Sequence, residues 1–220
     1  MATRKANEVR AEIQELDIQM IPIRIVGDTP LIVHAWSEKA KRQMLDAQTG
    51  ATKTKAREKR NPVADFADSL YWLTEKPDIQ SEEDFEKAME KGPKFGFPVT
   101  AFKQAANSAA YRLGWVKNQM VLRGSYFLRT DFDGFAEIKG SAPNMREDMV
   151  RVGMGSADLR YRGEFKKWYC DMILEYNASG EMTLEQILNV LNAGGYVCGA
   201  GEWRPEKDGD YGRYHIETVK

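Results

Sequence analysis

Cysteine and histidine are nearly absent from this chain of 220 residues, which has two of each. Cys170 and Cys198 lie far apart, have no metal-like partners nearby and sit among apolar residues, so both read as buried thiols. There is no P-loop, no paired-histidine metal motif and no nucleophile elbow, and no carboxylate cluster of the metal-nuclease kind stands out. These absences leave no cofactor to expect. No apolar run approaches the ~18–20 residues that span a bilayer. The opening stretch MATRKANEVRAEIQELD is charged and lacks an apolar signal core, so a cytoplasmic location is expected, with no membrane partner. A net charge of −1 also denies the chain the bulk positive excess common in proteins that coat DNA or RNA.

Charge is present but unevenly placed. Residues 39–60 carry eight cations (Lys39, Lys41, Arg42, Lys53, Lys55, Arg57, Lys59 and Arg60) against Asp46 and Glu58. Residues 75–90 carry seven carboxylates against Lys76 and Lys87. Opposed patches of this kind steer a polyanion or set head-to-tail contacts between subunits. With 42% hydrophobic residues the chain can bury one core of ordinary size, or one core with a large insertion. No internal repeat and no clean boundary divides residues 1–220, which read as a single domain.

Periodicity gives a coarse element order. Residues 1–19 have a weak helical pattern. Ile21, Ile23 and Ile25 alternate with Pro22 and Arg24 as a strand, Gly27 and Asp28 turn, and Leu31 to Val33 resume an extended run. Residues 37–48 read as a helix capped by Ser37, and residues 49–62 as a solvent-exposed loop with almost no large apolar side chain. A helix is expected from Pro62 to Leu73, with Val63, Phe66, Ala67, Leu70 and Tyr71 on one face. A short acidic helix starts at Ser81, which forms a capping box with Asp84. An alanine-rich helix follows Pro98, with Thr100 as its cap. Residues 120–130 and 134–139 read as a hairpin around Asp131–Gly134. Residues 146–152 and 158–163 are arginine-rich extended segments, and 165–176 alternate with Trp168, Cys170, Met172 and Leu174 on one side. TLEQILNVLNAGG (183–195) is a helix capped by Thr183 and stopped at Gly194. A glycine-containing loop then feeds a last strand at about 212–219. This order fits an α+β fold with helices on one face of an antiparallel sheet.

Three separated stretches together resemble the RAMP superfamily of CRISPR proteins, most of all its backbone subunits. IRIVGDTPLIVHAW (23–36) is similar to the superfamily's opening strand. FPVTAFKQAANSAAYR (97–112) is similar to its helix start, and GGYVCGAGEWRPEKDGDYGRYHIETV (194–219) to its glycine-rich loop and final strand. In the last stretch GEWRPEKDG stands where the family prefers glycine, serine and arginine. The chain also looks like a group of proteins encoded by tailed phages and prophages. The resemblance implies a ferredoxin-like, RRM-like core that packs against its neighbours along a nucleic-acid strand. It also implies a thumb-like helical insertion at about 37–95 and a bacterial host cell as the setting.

Candidate contacts to single-stranded RNA or DNA follow, each beside a plainer reading. Lys53, Lys55, Arg57, Lys59 and Arg60 would track phosphates, or else form a solvated surface loop. Thr100, Lys103 and Arg112 sit on a helix whose start offers free N–H groups to a phosphate, unless Thr100 only caps and Lys103 only snorkels. Arg146, Arg151, Arg160 and Arg162, near Tyr161 and Trp168, would pair with phosphates and stack on bases, or serve as sheet-surface charge. Trp203 and Arg204 in the glycine loop would stack on a base, or pack at a core or subunit contact. His34 follows the first strand, near where related CRISPR-RNA-processing endoribonucleases place a catalytic histidine. The expected function is non-catalytic binding of single strands by a homo-oligomer or filament. The alternatives are a metal-independent endoribonuclease using His34, and a phage assembly protein or CRISPR-subunit mimic acting through protein contacts.

Overall fold

A computed structural model describes residues 15–36, 38–50, 60–152 and 156–219. The first half of the chain forms β1 (Ile18–Gly27), β2 (Leu31–Val33), α1 (Glu38–Gln48), α2 (Pro62–Ser69), β3 (Tyr71–Trp72), α3 (Glu82–Glu90) and β4 (Phe95–Pro98). Then come α4 (Val99–Arg112), α5 (Gln119–Ser125), β5 (Tyr126–Arg129), β6 (Phe135–Gly140) and the paired β7 (Asn144–Val152) and β8 (Ser156–Phe165). The last elements are β9 (Trp168–Asn177), α6 (Leu184–Val197) and β10 (Tyr214–Thr218).

Strand alternation sets the centre of the fold. Ile23 and Ile25 of β1 are fully buried opposite Met172 and Cys170 of β9, while Arg24 and Asp171 between them take the other face. Each such buried aliphatic side chain contributes about 1.5–3 kcal/mol. Pro22 lies one residue beyond the stretch of β1 paired to β10, so its missing N–H removes no ladder bond on that side. The main sheet has seven antiparallel strands in the order β10-β1-β9-β6-β4-β3, with β5 also on β9. The path β1, α4, β5/β6, β9, α6, β10 is the β-α-β-β-α-β order of a ferredoxin-like fold, and the sequence-level fold class is met.

Helices α4 and α6 cover one face of this sheet. Phe102 and Ala106 of α4 and Ile187 and Leu191 of α6 share a buried cluster with Ile23, Ile25, Met172 and Leu174. Cys170 and Cys198 are both buried free thiols, as expected. A second sheet, β2-β8-β7, carries the arginine-rich segments as a long antiparallel pair that extends beyond β2. Gly163 lets α2 sit against β8, since a Cβ there would meet Leu70 Cδ2 at 2.3 Å. Between β2 and β4 the chain supplies α1, α2 and α3 and the short β3.

The capping box at Ser81–Asp84 and the Thr183 cap form as the sequence predicts, and Gln186 completes a second box at Thr183. Five expectations are corrected. Helix α2 ends at Ser69 rather than Leu73, because Tyr71 and Trp72 pair with Gly96 and Phe95 and the Trp72 indole donates to the Ala67 carbonyl. Thr100 is not a cap: α4 begins at Val99 after Pro98, and no side chain caps it. Residues 120–130 and 134–139 do not form a hairpin. Gln119–Ser125 is helical, and β5 and β6 each pair with β9 instead of each other. Helix α6 runs through Gly194 to Val197, and that glycine serves close approach: a Cβ on it would lie 2.6 Å from Ala106 N. Of the weak helical pattern over 1–19, residues 1–14 lie outside the described residues, while Ile18 and Gln19 belong to β1 instead of a helix; the Ser37 cap and residues 51–59 of the 49–62 loop also lie outside them.

Candidate nucleic-acid interface

The cation at the alanine-rich helix turns inward. Lys103 Nζ donates to the carbonyls of Arg123 at 2.8 Å and Tyr126 at 2.6 Å, and burial pulls its pKa below the ordinary lysine value. The first N–H of α4, on Val99, already donates to Gly134 O at 2.9 Å, while Thr100 is exposed. At the other end of α4, Arg112 donates to Glu206 at 2.9 Å, and Arg204 grips the same carboxylate. Burial alone would raise the Glu206 pKa; hydrogen bonds and charge from Arg204 and Arg112 outweigh it and hold Glu206 ionised below the usual range.

The arginines of β7 and β8 form a knot with the glycine loop. Arg146 and Arg162 share Asp148, at 2.8 and 3.0 Å, and Arg146 also reaches Glu164 and covers the Tyr211 ring at 4.6 Å. Asp148 is buried, which raises its pKa, but bonds from Arg146, Arg162 and the Trp203 side chain hold it below the usual carboxylate value. Arg162 continues to Glu202 at 3.3 Å. The loop itself is a latch: Glu202 N–H donates to Ile32 O and Gly212 N–H to Pro30 O, and a Cβ on Gly201 would sit 2.4 Å from Ile32 O. Trp203 adopts a left-handed φ of 54°, a strained setting for a bulky residue, held by this latch. Arg151 is exposed near the end of β7.

A cleft of about 420 Å³ opens between the end of β2, α2 and the free edge of β8. His34, Trp36, Arg60, Arg160, Tyr161 and Glu202 line it together with Asp65, Asp68 and Ser69. Arg60 and Arg160 share Asp158, at 2.7 and 2.9 Å, and Arg60 also binds Asp65. Burial, then the Arg162 charge, lower the pKa of His34, whose buried Nδ1 has no partner among the described residues. The cleft therefore gathers Arg60, Arg160 and Tyr161, which the sequence singles out separately. Lys53, Lys55, Arg57 and Lys59 lie outside the described residues.

The open face of the main sheet is the surface that sequence reasoning missed. The Arg24 guanidinium covers the Tyr169 ring at 4.4 Å while holding Asp171 at 2.6 Å, and Lys139 reaches the other oxygen of that carboxylate at 3.1 Å. The Arg24 hydrogen bond is the main cause that depresses the Asp171 pKa. Further along β9 on the same side, Phe127 is 44% exposed, with Arg129 bound to Glu175 and lying 5.5 Å from the ring. The signal was present as the polar half of each alternating strand, but its partners lie on β1, β5, β6 and β9, far apart in sequence.

Among the described residues no helix is long and apolar enough to cross a membrane, and no group of three or more His, Cys, Asp or Glu side chains is placed to hold a metal ion. No protein-family model matches the chain, and no curated protein matches it either.

Proposed function

We propose that this protein binds single-stranded RNA or DNA without cleaving it, with the strand crossing the open face of the ferredoxin-like sheet and copies assembling side by side along it. The observation that carries this reading is the Arg24–Tyr169 stack on that face, with the exposed Phe127 further along β9 on the same side. Aromatic faces take bases of any sequence, at about 1–3 kcal/mol per base. Arg24, Lys139 and Arg129 are matched by Asp171 and Glu175, so affinity on this face rests on stacking more than on counterion release. Phosphate contacts then fall to the basic residues Lys53, Lys55, Arg57 and Lys59, since Arg60 is paired to Asp65 and Asp158. The resemblance to RAMP backbone subunits supports side-by-side assembly, and the likeness to proteins of tailed phages and prophages supports a phage or prophage origin in a bacterial cytoplasm.

Fluorescence anisotropy of short labelled RNA and DNA strands, at low and high salt, tests the reading. Wild type binds at low salt, and Tyr169→Ala and Phe127→Ala each weaken binding about ten-fold. No binding by wild type at low salt overturns it. A second reading has one observation in its favour: His34 lines a cleft, and burial lowers its pKa, which favours the neutral ring that a general base for ribose 2′-OH attack needs. RNA left intact by both wild type and His34→Ala removes that reading, whereas cleavage lost in the variant replaces the first with it.

A further inference from the structure

The cleft beside His34 differs in chemistry from the open sheet face. Its mouth shows Trp36, 59% exposed, and its wall shows the Tyr161 ring with Arg60 5.9 Å from the centroid. Its charge is spent internally. Arg60 and Arg160 are tied to Asp158 and Asp65, and Asp68 is tied to Lys76. A polyanion gains little from such a lining, because every phosphate contact displaces a carboxylate already in place. A flat, neutral, hydrogen-bonding ring suits it better. Its volume of about 420 Å³ lies in the range of small-molecule sites.

We infer that this cleft binds one nucleobase that carries an exocyclic amine: adenine, cytosine or guanine. The ring is held against Trp36 and Tyr161. Glu202, which is 42% exposed and has one oxygen 3.3 Å from Arg162, accepts from the amine. His34 lines the cleft beside them. Uracil and thymine present a carbonyl where the amine would be, which sets oxygen against the Glu202 carboxylate. A site built to receive a hydrogen bond discriminates strongly against a ligand that lacks the donor. The phosphate, if there is one, stays outside. This site goes beyond the reading given for the sheet face and stands on separate residues.

Calorimetric titration of the full chain with adenosine, cytidine, uridine and AMP tests the inference. Adenosine and cytidine bind, uridine binds at least about ten-fold more weakly, and AMP matches adenosine within about three-fold because the lining is neutral. Trp36→Leu, a change at an exposed residue that leaves the fold intact, and Glu202→Gln each lose about ten-fold. Tyr169→Ala leaves nucleoside binding unchanged. Uridine binding as tightly as adenosine, AMP binding far more tightly than adenosine, or no nucleoside binding at millimolar concentration overturns the inference. Displacement of adenosine by a single strand supports a base of that strand as the natural occupant; simultaneous binding supports a free nucleoside. If nucleosides fail while Tyr169-dependent strand binding persists, this inference falls and the sheet-face reading stands, and the converse result separates them the other way.

Discussion

Lys103 is bonded to the carbonyl of Tyr126, 23 residues later in the chain, at 2.6 Å. With its second bond to Arg123 O it ties α4 to the α5–β5 corner. The side chain also lies 4.4 Å from the Phe127 ring centroid, so it braces the edge of the open sheet face from behind.

Replacement of Lys103 by methionine keeps the stem and removes the donor. Two carbonyls then lose a charge-assisted partner, and stability falls by about 1–3 kcal/mol. Urea denaturation reads the loss. The salt dependence of strand binding stays at the wild-type value, because Lys103 makes no phosphate contact; a shallower slope in this variant would return it to the binding surface.

The basic segment behaves oppositely. Replacing Lys53, Lys55, Arg57 and Lys59 by glutamine leaves thermal stability unchanged and flattens the plot of log affinity against log salt by about 3, from roughly 0.7 per phosphate contact on a single strand. Arg146→Gln, at a residue tied to Asp148 and Glu164, leaves that slope unchanged and lowers the melting temperature. Anisotropy titrations over a salt series, with thermal melts alongside, check both halves.

Gly194→Ala sets two effects of opposite sign against each other. Helix propensity favours alanine by about 1 kcal/mol. The added Cβ meets backbone atoms of Ala106 at 2.6 and 2.7 Å, which have no rotamer to yield, and overpacking of this kind costs about 1–3 kcal/mol. The clash is with backbone atoms, so packing wins, and the variant is less stable by up to about 2 kcal/mol in chemical denaturation. A stabilised variant would show that the helices separate freely.

His215 lies 2.6 Å from Asp28, and that hydrogen bond raises its pKa above the ordinary 6.5, against the effect of burial. The pair's stabilisation is present in full below the unfolded-state value and is lost as pH rises through the raised folded-state value. Both side chains are more than 40% exposed, so the step is under about 1 kcal/mol. Denaturation midpoints of wild type and His215→Gln converge as the pH is taken above that range; a gap that widens with pH would contradict the pairing.

Those residues also show what was legible in the chain. The buried row Trp168, Cys170, Met172 and Leu174 announces itself through a period of two, Ser81 announces its helix through the carboxylate three residues on, and Thr183 does so as a cap before an apolar stripe. Both signals are local. Gly194 reads as a helix stop because a glycine's need for space looks, in sequence, the same as a need for a left-handed φ. Tyr71 and Trp72 fit the α2 stripe, and only their pairing with β4 takes them out of it. The arginines are the least legible, since a cation's role depends on its partner. Arg24 faces Asp171 across a separation of 147 residues, and Arg112 and Arg204 meet only at Glu206.

The position of β1 between β9 and β10 bears on how the chain is made. At about 5–20 residues per second, a ribosome produces Asp171 roughly 7–30 s after Arg24. For that interval the strand destined for the middle of the sheet has neither neighbour, and Ile21, Ile23 and Ile25 are open to any other nascent chain. Pro22 and Arg24 interrupt that triplet, one by lacking an amide hydrogen and the other by its charge, so the residues that seat the strand in the finished sheet also guard it while it waits.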